Sequence, residues 1–259
     1  MKKKGGTVSI IIPTRNRKEY VRRAVKSVLD QDYEPLQVIV VDDASTDGTR
    51  NDLMDGFRGD IIYSQNSSPV GANVSRNHGL VLAMGDYLSF LDDDDYYSRF
   101  DKVSNQVDLL NQNSNVGFVG CGYYHSAIKQ NRTPKIRGKI DKQFLVSFGD
   151  IETSTVMMTR ETQKKIGYPD ARFRSEQNHD FFYRLSKITE FDYLPDVYVI
   201  KGTPATKQIS RGLINKIQGY TLFHKKYFND LKKLPPNQFM KAELKFITTF
   251  EFLFIAFPE

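Results

Sequence analysis

Four consecutive aspartates, residues 92–95, are the part of this chain best suited to chemistry. They follow residues 87–91, a mainly apolar run with the composition of a buried strand. Two carboxylates ~4 Å apart repel each other by about 4 kcal/mol at an effective dielectric constant of about 20. A divalent cation relieves this repulsion, and ligands that are all oxygen suit Mg²⁺ or Mn²⁺ better than Zn²⁺. The alternative is a solvated acidic turn, and only the neighbouring segments can decide between the two.

Two other polar segments also come directly after apolar runs. Residues 13–15 (PTR) follow 8–12, and an acidic turn at 42–47 follows 38–41. Short strands and amphipathic helices alternate between them, which predicts parallel strands joined by right-handed crossovers. Ligands bind beyond the carboxyl ends of such strands. We therefore expect all three polar segments to meet at one edge of the sheet.

The elements that must position these residues can be predicted from the same patterns. A first helix starts after Asn16, with Glu19 completing a capping box. A later helix spans 72–84 and closes at Gly85 in a left-handed cap, and Asp95 caps the helix that follows the acids. The remaining predicted elements are strands at 61–63, 116–120, 153–158 and 193–200, and helices at 99–112, 160–166 and 177–187.

These patterns predict an α/β fold with a mostly parallel, Rossmann-like central sheet flanked by helices. The C-terminal tail is expected to be helical in two pieces, separated by Pro235 and Pro236. Residues 1–205 are expected to form the main domain, and residues 206–259 a basic, aromatic helical extension.

Composition limits the class of protein. The chain has 259 residues, of which 39% are hydrophobic and 26% charged, as in a folded globular protein. Its single cysteine, Cys121, excludes an internal disulfide, fits a reducing cytoplasm and is expected to be a buried apolar residue. The basic start is not followed by the apolar core of a signal peptide, and no run reaches the ~18–20 apolar residues that a membrane span needs.

The net charge of +6 is unevenly distributed. Residues 201–259 contain ten Lys or Arg against four Asp or Glu, whereas the first 200 residues contain 27 of each. A basic tail favours an anionic partner, either a membrane surface or nucleic acid. No groove-reading motif supports nucleic acid, and the turn after the first strand lacks the Gly-rich loop of a nucleotidyltransferase.

Four segments resemble the family 2 glycosyltransferases, which have the GT-A fold. Together they are highly specific, and they occur in the order and spacing of that family. They are residues 9–17 (SIIIPTRNR), 41–49 (VDDASTDGT), Gly71 with 75–80 (SRNHGL), and 85–95 (GDYLSFLDDDD). The resemblance implies a nucleotide-diphosphate-sugar donor, most often a UDP-sugar, and transfer with inversion at the sugar carbon.

The resemblance also implies nucleotide contacts. An aspartate at a strand end can accept a hydrogen bond from uracil N3–H, and an arginine can lie flat on the base. The resemblance gives these roles to Asp43 and Arg15, and the alternative for Asp43 is a cap or turn role in its own loop. Arg76 is expected to pair with Asp42, Asp43 or the diphosphate, and the alternative is an ordinary surface arginine. The expected nucleotide-binding residues are Pro13, Thr14, Arg15, Asp43, Arg76, Asp92 and Asp93.

The acidic run resembles the DxD signature of the family, in which a metal ion bridges the donor phosphates. Asp94 is the expected ligand of Mn²⁺ or Mg²⁺. Asp92 is the expected partner of the ribose or a support of the ligand, and Asp93 shares either role. Residues 153–155 either line the sugar pocket or belong to a plain strand.

The position of the catalytic base does not match the family. Inverting transfer needs a base, worth roughly 10²–10⁴ in rate. The family supplies an aspartate two residues before a further acid, here Asp180, and that position is Asn178, an amide that cannot act as a base at neutral pH. Asp180 or Glu176 acts instead, or Asn178 is an engineered exchange, or the domain binds without turnover. His179 is a further candidate for the metal or the acceptor.

The resulting hypothesis is a metal-dependent, inverting sugar transferase. Its acceptor would be a hydroxyl of a glycan or of a lipid-linked precursor in surface or cell-wall polysaccharide synthesis. The alternative is a nucleotide-sugar-binding GT-A domain with impaired catalysis. The tail either lies on an anionic membrane that holds a lipid-linked acceptor, at the inner face, or packs back on the catalytic domain.

Overall fold

A computed structural model describes residues 2–146, 151–173, 175–203 and 213–244. Its strands are β1 (Lys3–Thr14), β2 (Tyr33–Asp42), β3 (Ile61–Gln65), β4 (Tyr87–Phe90), β5 (Tyr96–Tyr97), β6 (Val116–His125), β7 (Gln130–Arg132), β8 (Met157–Thr159) and β9 (Glu190–Lys201). Its helices are α1 (Lys18–Leu29), α2 (Thr49–Phe57), α3 (Ala72–Leu82), α4 (Lys102–Gln112), α5 (Asp141–Val146), α6 (Arg160–Ile166), α7 (Gln177–Ile188) and α8 (Leu213–Leu231).

All described strands belong to one sheet, in the order β3-β2-β1-β4-β8-β6-β9-β5, with β7 paired to β6. The first four of these strands are parallel to one another, as predicted, and helices connect them. β8 lies between β4 and β6 and runs antiparallel to both. The predicted α/β fold is confirmed, and its sheet is mixed, since β5, β7 and β8 run antiparallel to their partners.

The core lies on both faces of this sheet. Ile10 and Ile12 of β1 pack with the apolar side of α1, whereas Ile11 between them packs on the other face with α3, α7 and α8. The alternation follows from the two-residue period of a strand. Because both faces are covered, β1 is apolar without interruption from Ile10 to Ile12, as buried parallel strands are.

Helix α8 contributes directly to this core. Phe223, Tyr227 and Leu231 are buried in the same cluster as α7, and the Tyr183 and Tyr227 rings meet edge to face with centroids 4.6 Å apart. Residues 236–244 form a further helical stretch, so the two-piece tail is present as far as it is described. None of the described helices has the length and apolarity required to cross a membrane. Residues 204–212, which include the expected boundary at 205, and 245–259 lie outside the described residues.

Several local predictions were wrong, because tertiary contacts use the residues differently. Asn16 does not cap α1; its backbone φ is 52° and its side chain accepts a hydrogen bond from Thr46 N at 2.8 Å. α1 has no side-chain cap, so the capping box with Glu19 is absent. Gly85 is not a left-handed cap, since α3 ends at Leu82; a Cβ on Gly85 would lie 2.6 Å from Ser9 N.

Two further differences concern the predicted site. Residues 153–155 form a single 3₁₀ turn, and the strand after it covers Met157–Thr159 only. Asp95 precedes the short strand β5 and caps no helix, because α4 begins at Lys102 with Asp101 before it. The helices α2 and α5 and the strands β5 and β7 were not predicted.

Candidate functional site

The acidic run forms a compact group at the carboxyl end of β4. Asp92, Asp94 and Asp95 each place a carboxylate oxygen within 4.8 Å of the others. Asp94 and Asp95 are buried, and the Asp92 side chain is about one-third exposed. Three carboxylates so close together repel one another, which fits a divalent cation with oxygen ligands. We call Asp92, Asp94 and Asp95 the acid cluster.

Asp93 is not part of the acid cluster, and its carboxylate is bonded at the end of β1. It accepts hydrogen bonds from Thr14 Oγ1 at 2.9 Å and from Arg17 Nη1 at 2.8 Å. Burial, opposed by Arg17, raises the pKa of Asp93 to about 6. Arg17 Nη1 also lies 3.5 Å from Asp94 Oδ2. The side chain of Asp93 therefore fastens the segment that follows β1 to the acidic run.

Asp95 is held by residues from two distant segments. Ser154 Oγ donates to its Oδ2 at 2.6 Å, and Gly202 N donates to its Oδ1 at 3.0 Å. Burial and then the charges of Asp92 and Asp94 raise the pKa of Asp95 well above its ordinary value. Ser154 also accepts from the backbone N–H of Asp92 at 3.1 Å, so the 3₁₀ turn supports the acid cluster from one side.

A lysine close to Asp95 completes this side of the site. Lys201 at the end of β9 pairs with Glu152 at 2.6 Å. The charges of Glu152, Asp95 and Asp92 raise the pKa of Lys201 although burial lowers it. Lys201 was not predicted as a site residue, and no local sequence pattern marks it. Arg17 was also not predicted as a site residue, although it is part of the first matching segment.

Arg76 is buried beside the acid cluster and is not a surface arginine. Its Nη2 lies 2.5 Å from Asp92 Oδ1, and its Nη1 donates to Asn73 Oδ1 at 3.2 Å. Its Nε is buried without a partner in the described part of the chain. A buried cation next to three carboxylates balances part of their charge.

The three polar segments predicted to converge do meet at one edge of the sheet. Asp43 N donates to Thr14 O at 2.8 Å, and Asp43 is 5% exposed. Its carboxylate accepts from Val70 N, Gly71 N and Asn66 Nδ2 at 2.8–3.0 Å, so it also shapes the loop before α3.

The two other predicted residues at this edge differ in exposure. Pro13 is buried at the end of β1. Arg15 is exposed, and within the described ranges its guanidinium forms no hydrogen bond. Of the expected nucleotide contacts, Arg15 is thus the side chain most available to a ligand.

The start of α7 lies beside the strand that ends in the acid cluster. The rings of Phe90 and Phe181 meet edge to face with centroids 6.1 Å apart. Asn73 Nδ2 donates to Phe173 O at 3.0 Å, so one residue touches both Arg76 and the loop that leads into α7.

The candidate bases at the start of α7 have different surroundings. Asp180 is completely buried and accepts hydrogen bonds from Arg184, Lys226 and Tyr227 at 2.6–3.0 Å. Asn178 is half-buried on the first turn. Glu176 has a left-handed backbone, with φ at 61°, and pairs with His179 Nδ1. Such a backbone is uncommon outside glycine and often marks functional sites.

Cys121 takes no part in this site. It is fully buried in β6, and burial raises the pKa of its thiol to about 12. The predicted apolar role is therefore confirmed.

Comparisons with known proteins agree with this geometry. The family model described as Glycosyl transferase family 2 matches residues 9–173. TuaG of Bacillus subtilis (strain 168), named as a teichuronic acid biosynthesis glycosyltransferase, is 35% identical over 65% of this chain and 68% of its own length. WfaP of Escherichia coli, named as a UDP-Glc:alpha-D-GlcNAc-diphosphoundecaprenol beta-1,3-glucosyltransferase, is 33% identical over 62% of this chain and 64% of its own length.

Solved structures share the fold. A fragment of S. aureus TarS in complex with UDP has a TM-score of 0.69 and 19% identity, over 100% of this chain and 73% of that one. The mannosyltransferase PcManGT from Pyrobaculum calidifontis, in complex with GDP-Man and Mn²⁺, has a TM-score of 0.66 and 19% identity, over 93% of this chain and 69% of that one. The chain spans 43% of a longer TarS structure. The predicted GT-A fold is thus confirmed.

Proposed function

This chain belongs to glycosyltransferase family 2, and from that premise we propose that it transfers a sugar, with inversion, from a UDP-sugar to a hydroxyl of a glycan or lipid-linked acceptor. The observation that carries the proposal is the acid cluster, with its oxygens within 4.8 Å of one another, at the sheet edge where Thr14 and Asp43 meet. Relatives named for teichuronic acid biosynthesis and for a diphosphoundecaprenol acceptor support a role in surface or cell-wall polysaccharide synthesis.

The donor phosphates would lie at the acid cluster. Asp92, Asp94 and Asp95 would hold Mn²⁺ or Mg²⁺, which supplies Lewis-acid stabilisation of the departing diphosphate. The third proposed metal ligand is Asp95 and not Asp93, because Asp93 is hydrogen-bonded to Thr14 and Arg17. The complex of a structural neighbour with GDP-Man and Mn²⁺ supports a divalent cation bound together with the donor.

The nucleotide base would lie between the ends of β1 and β2. Arg15 is exposed and can cover the face of uracil. Asp43 uses three hydrogen bonds for its own loop and retains acceptor capacity for N3–H, since a carboxylate offers about four lone-pair positions. The relative named for a UDP-Glc donor and the UDP complex of one structural neighbour support UDP as the nucleotide, whereas another neighbour holds GDP-Man.

Glu176 is the residue we assign as catalytic base. Asp180 has no exposed surface and three strong hydrogen bonds, so it is poorly placed to accept the proton of an acceptor hydroxyl. Glu176 stands two residues before Asn178, with part of its carboxyl side chain exposed. In this mechanism Glu176 takes the hydroxyl proton, the acceptor oxygen forms the new bond to the anomeric carbon, and the nucleoside diphosphate leaves with the electron pair of the broken C–O bond.

A screen of nucleotide sugars with Mn²⁺, reading the release of free nucleoside diphosphate, tests the proposed function. Turnover of at least one UDP-sugar, abolished by EDTA and restored by Mn²⁺, is the expected result. Stabilisation by UDP with Mn²⁺ in thermal unfolding, but no turnover of any donor with glycan or polyprenyl-diphosphate acceptors, would instead support a binding domain with Asn178 in the base position. If the chain shows neither binding nor turnover, both the transferase proposal and the binding-domain alternative are overturned.

The C-terminal region is proposed to contact an anionic membrane from its inner face, where a lipid-linked acceptor would lie. Lys139, Lys142 and Lys241 line an open cleft of about 620 Å³ between the segment around α5 and the residues after Pro235. Met240 and Leu244 are exposed on the same helical stretch as Lys241. Lysines beside exposed apolar side chains suit the surface of a bilayer that contains anionic lipids.

Sedimentation with vesicles of phosphatidylglycerol and phosphatidylcholine tests this contact. Changing Lys139, Lys142 and Lys241 together to Glu should reduce binding at least about tenfold, since each basic residue near the surface contributes about 1 kcal/mol. The matched control changes three exposed lysines elsewhere, Lys4, Lys129 and Lys164, to Glu. Equal loss of binding in the two triple variants would reject the proposed contact surface.

A further inference from the structure

Helix α8 reaches the start of α7 through two consecutive residues. Lys226 Nζ lies 2.6 Å from Asp180 Oδ1 and 3.0 Å from Asp170 Oδ2. The Tyr227 hydroxyl donates to the same Asp180 oxygen at 2.7 Å. The family model matches residues 9–173, and its match therefore ends before α7 and α8.

The carboxylate that receives these bonds has no contact with solvent. Asp180 is 0% exposed, and a buried charge requires partners that are both charged and hydrogen-bonded. Arg184, one turn later on α7, donates to its other oxygen at 3.0 Å. α7 therefore provides one of the three donors, and α8 provides two. Burial and the bond to Asp180 raise the pKa of Tyr227 above its ordinary value, so its hydroxyl remains a donor.

The loop before α7 is held between α8 and α3. On the α3 side, Asn77 Nδ2 donates to Pro169 O at 3.0 Å, and Asn73 Nδ2 contacts Asp170 O at 3.3 Å as well as Phe173 O. On the opposite side, Lys226 binds the Asp170 carboxylate. The backbone of this loop is thus fixed by one helix and its acidic side chain by the other.

These contacts are continuous with the acid cluster. Asp92 pairs with Arg76, Arg76 donates to Asn73, and Asn73 donates to the loop that Lys226 holds through Asp170. The ring contact of Phe90 and Phe181 sets the same two regions side by side. A shift of α8 would therefore move the first turn of α7 relative to the donor phosphates.

We infer that Lys226 and Tyr227 are positioning residues for glycosyl transfer. By holding Asp180 and Asp170 they keep the loop before α7, and the first turn of α7 with Glu176, at a constant place beside the acid cluster. The helix α8 then contributes to catalysis by positioning these residues of the catalytic domain. The inference rests on the proposed function, since it concerns the geometry of the transfer step. A small displacement of a catalytic group can reduce the rate about 10²-fold.

Hydrogen–deuterium exchange of the full chain tests the structural half of the inference. Lys226→Met and Tyr227→Phe should each accelerate exchange of the backbone amides in residues 169–180. Lys226→Arg, which keeps the charge and donors, should restore the slow exchange. Lys225→Met is the matched control, because Lys225 is exposed on the same helix and forms no bond in the described residues.

Steady-state kinetics with the best donor tests the catalytic half. We expect kcat to fall at least about tenfold in Lys226→Met and less in Tyr227→Phe, with KM for the donor within about twofold of the wild type. Lys226→Arg should recover most of kcat. If Lys226→Met and Tyr227→Phe both keep the wild-type kcat, this inference is overturned and the proposed function is not. If Lys226→Met does not fold, the kcat of Tyr227→Phe alone tests the inference. Absence of turnover in the wild type would overturn the proposed function and this inference with it.

Discussion

Gly202 lies against Asp94 so closely that no side chain fits between them: a Cβ on Gly202 would be 1.9 Å from the carbonyl oxygen of Asp94. The Gly202 N–H also donates to Asp95 Oδ1 at 3.0 Å. The residue after β9 therefore packs directly against the backbone of the acidic run. This contact joins the segments that follow β4 and β9.

Gly202→Ala should displace that backbone. We expect a loss of about 1–3 kcal/mol in the free energy of unfolding, as for other insertions into packed regions, together with weaker Mn²⁺ binding. Urea unfolding and calorimetric titration measure the two effects. Gly56→Ala is the control, because its Cβ would meet only the flexible end of Arg22 and alanine favours the helix α2 by about 0.5 kcal/mol. Equal stability of the two variants would contradict the close packing.

The acid cluster predicts which aspartates bind the metal. Asp94→Asn and Asp95→Asn should each raise the dissociation constant for Mn²⁺ about tenfold or more, because each removes one anionic ligand. Asp93→Asn should have a smaller effect, since Asp93 is bonded to Thr14 and Arg17. Asp60→Asn, at an exposed position, is the control. A larger loss in Asp93→Asn than in Asp95→Asn would show that the assignment is wrong.

Two nearby arginines should separate binding from stability. Arg15 is exposed, so Arg15→Met should weaken UDP binding about fivefold or more through lost cation–π contact, with little change in stability. Arg17 neutralises the buried Asp93, so Arg17→Met should lower the free energy of unfolding by about 2–4 kcal/mol. Fluorescence titration with UDP and urea unfolding provide the measurements. The reverse pattern would reject both roles.

The base assignment can be tested by a pair of substitutions. Glu176→Gln should reduce kcat about 10²-fold or more at saturating donor, because the amide cannot accept the proton. Asn178→Asp should leave kcat within about threefold of the wild type. The measurement is initial-rate diphosphate release. A large gain in Asn178→Asp, with no loss in Glu176→Gln, would show that the family position is the true base site and that this chain is impaired there.

The ion pairs of Asp170 predict a pH dependence of stability. Arg172, and then Lys226, hold the pKa of Asp170 below its ordinary value despite its partial burial. A carboxylate whose pKa is lower in the folded state stabilises the fold above its ordinary pKa, about 4, and loses this contribution as pH falls toward the folded value.

Asp170→Asn should therefore be less stable than the wild type by on the order of 1 kcal/mol at pH 7. The difference should shrink as the pH is lowered from about 4 to about 2. Urea midpoints across this range measure it, with Asp60→Asn as the control. A difference that is constant with pH would indicate that the ion pairs of Asp170 contribute nothing to it.

The sequence by itself determined the α/β order of elements, the polar ends of β1, β2 and β4, and the family. These features depend on residue periodicity and on short motifs, so they can be read locally. The same local rules failed at Asn16, Gly85 and Asp95, where distant partners take over a side chain or exclude one.

Only the tertiary structure decided how the carboxylates are used. Ser154 and Gly202, which are 59 and 107 residues away in the chain, donate hydrogen bonds that hold the Asp95 carboxylate in the acid cluster. Thr14 and Arg17 instead hold the Asp93 carboxylate at the end of β1. Likewise, Asp180 was a candidate base in the sequence, but its carboxylate accepts hydrogen bonds from two donors of α8. The sequence shows where each carboxylate is, but the exposure and partners of that carboxylate depend on contacts between segments that meet only after folding.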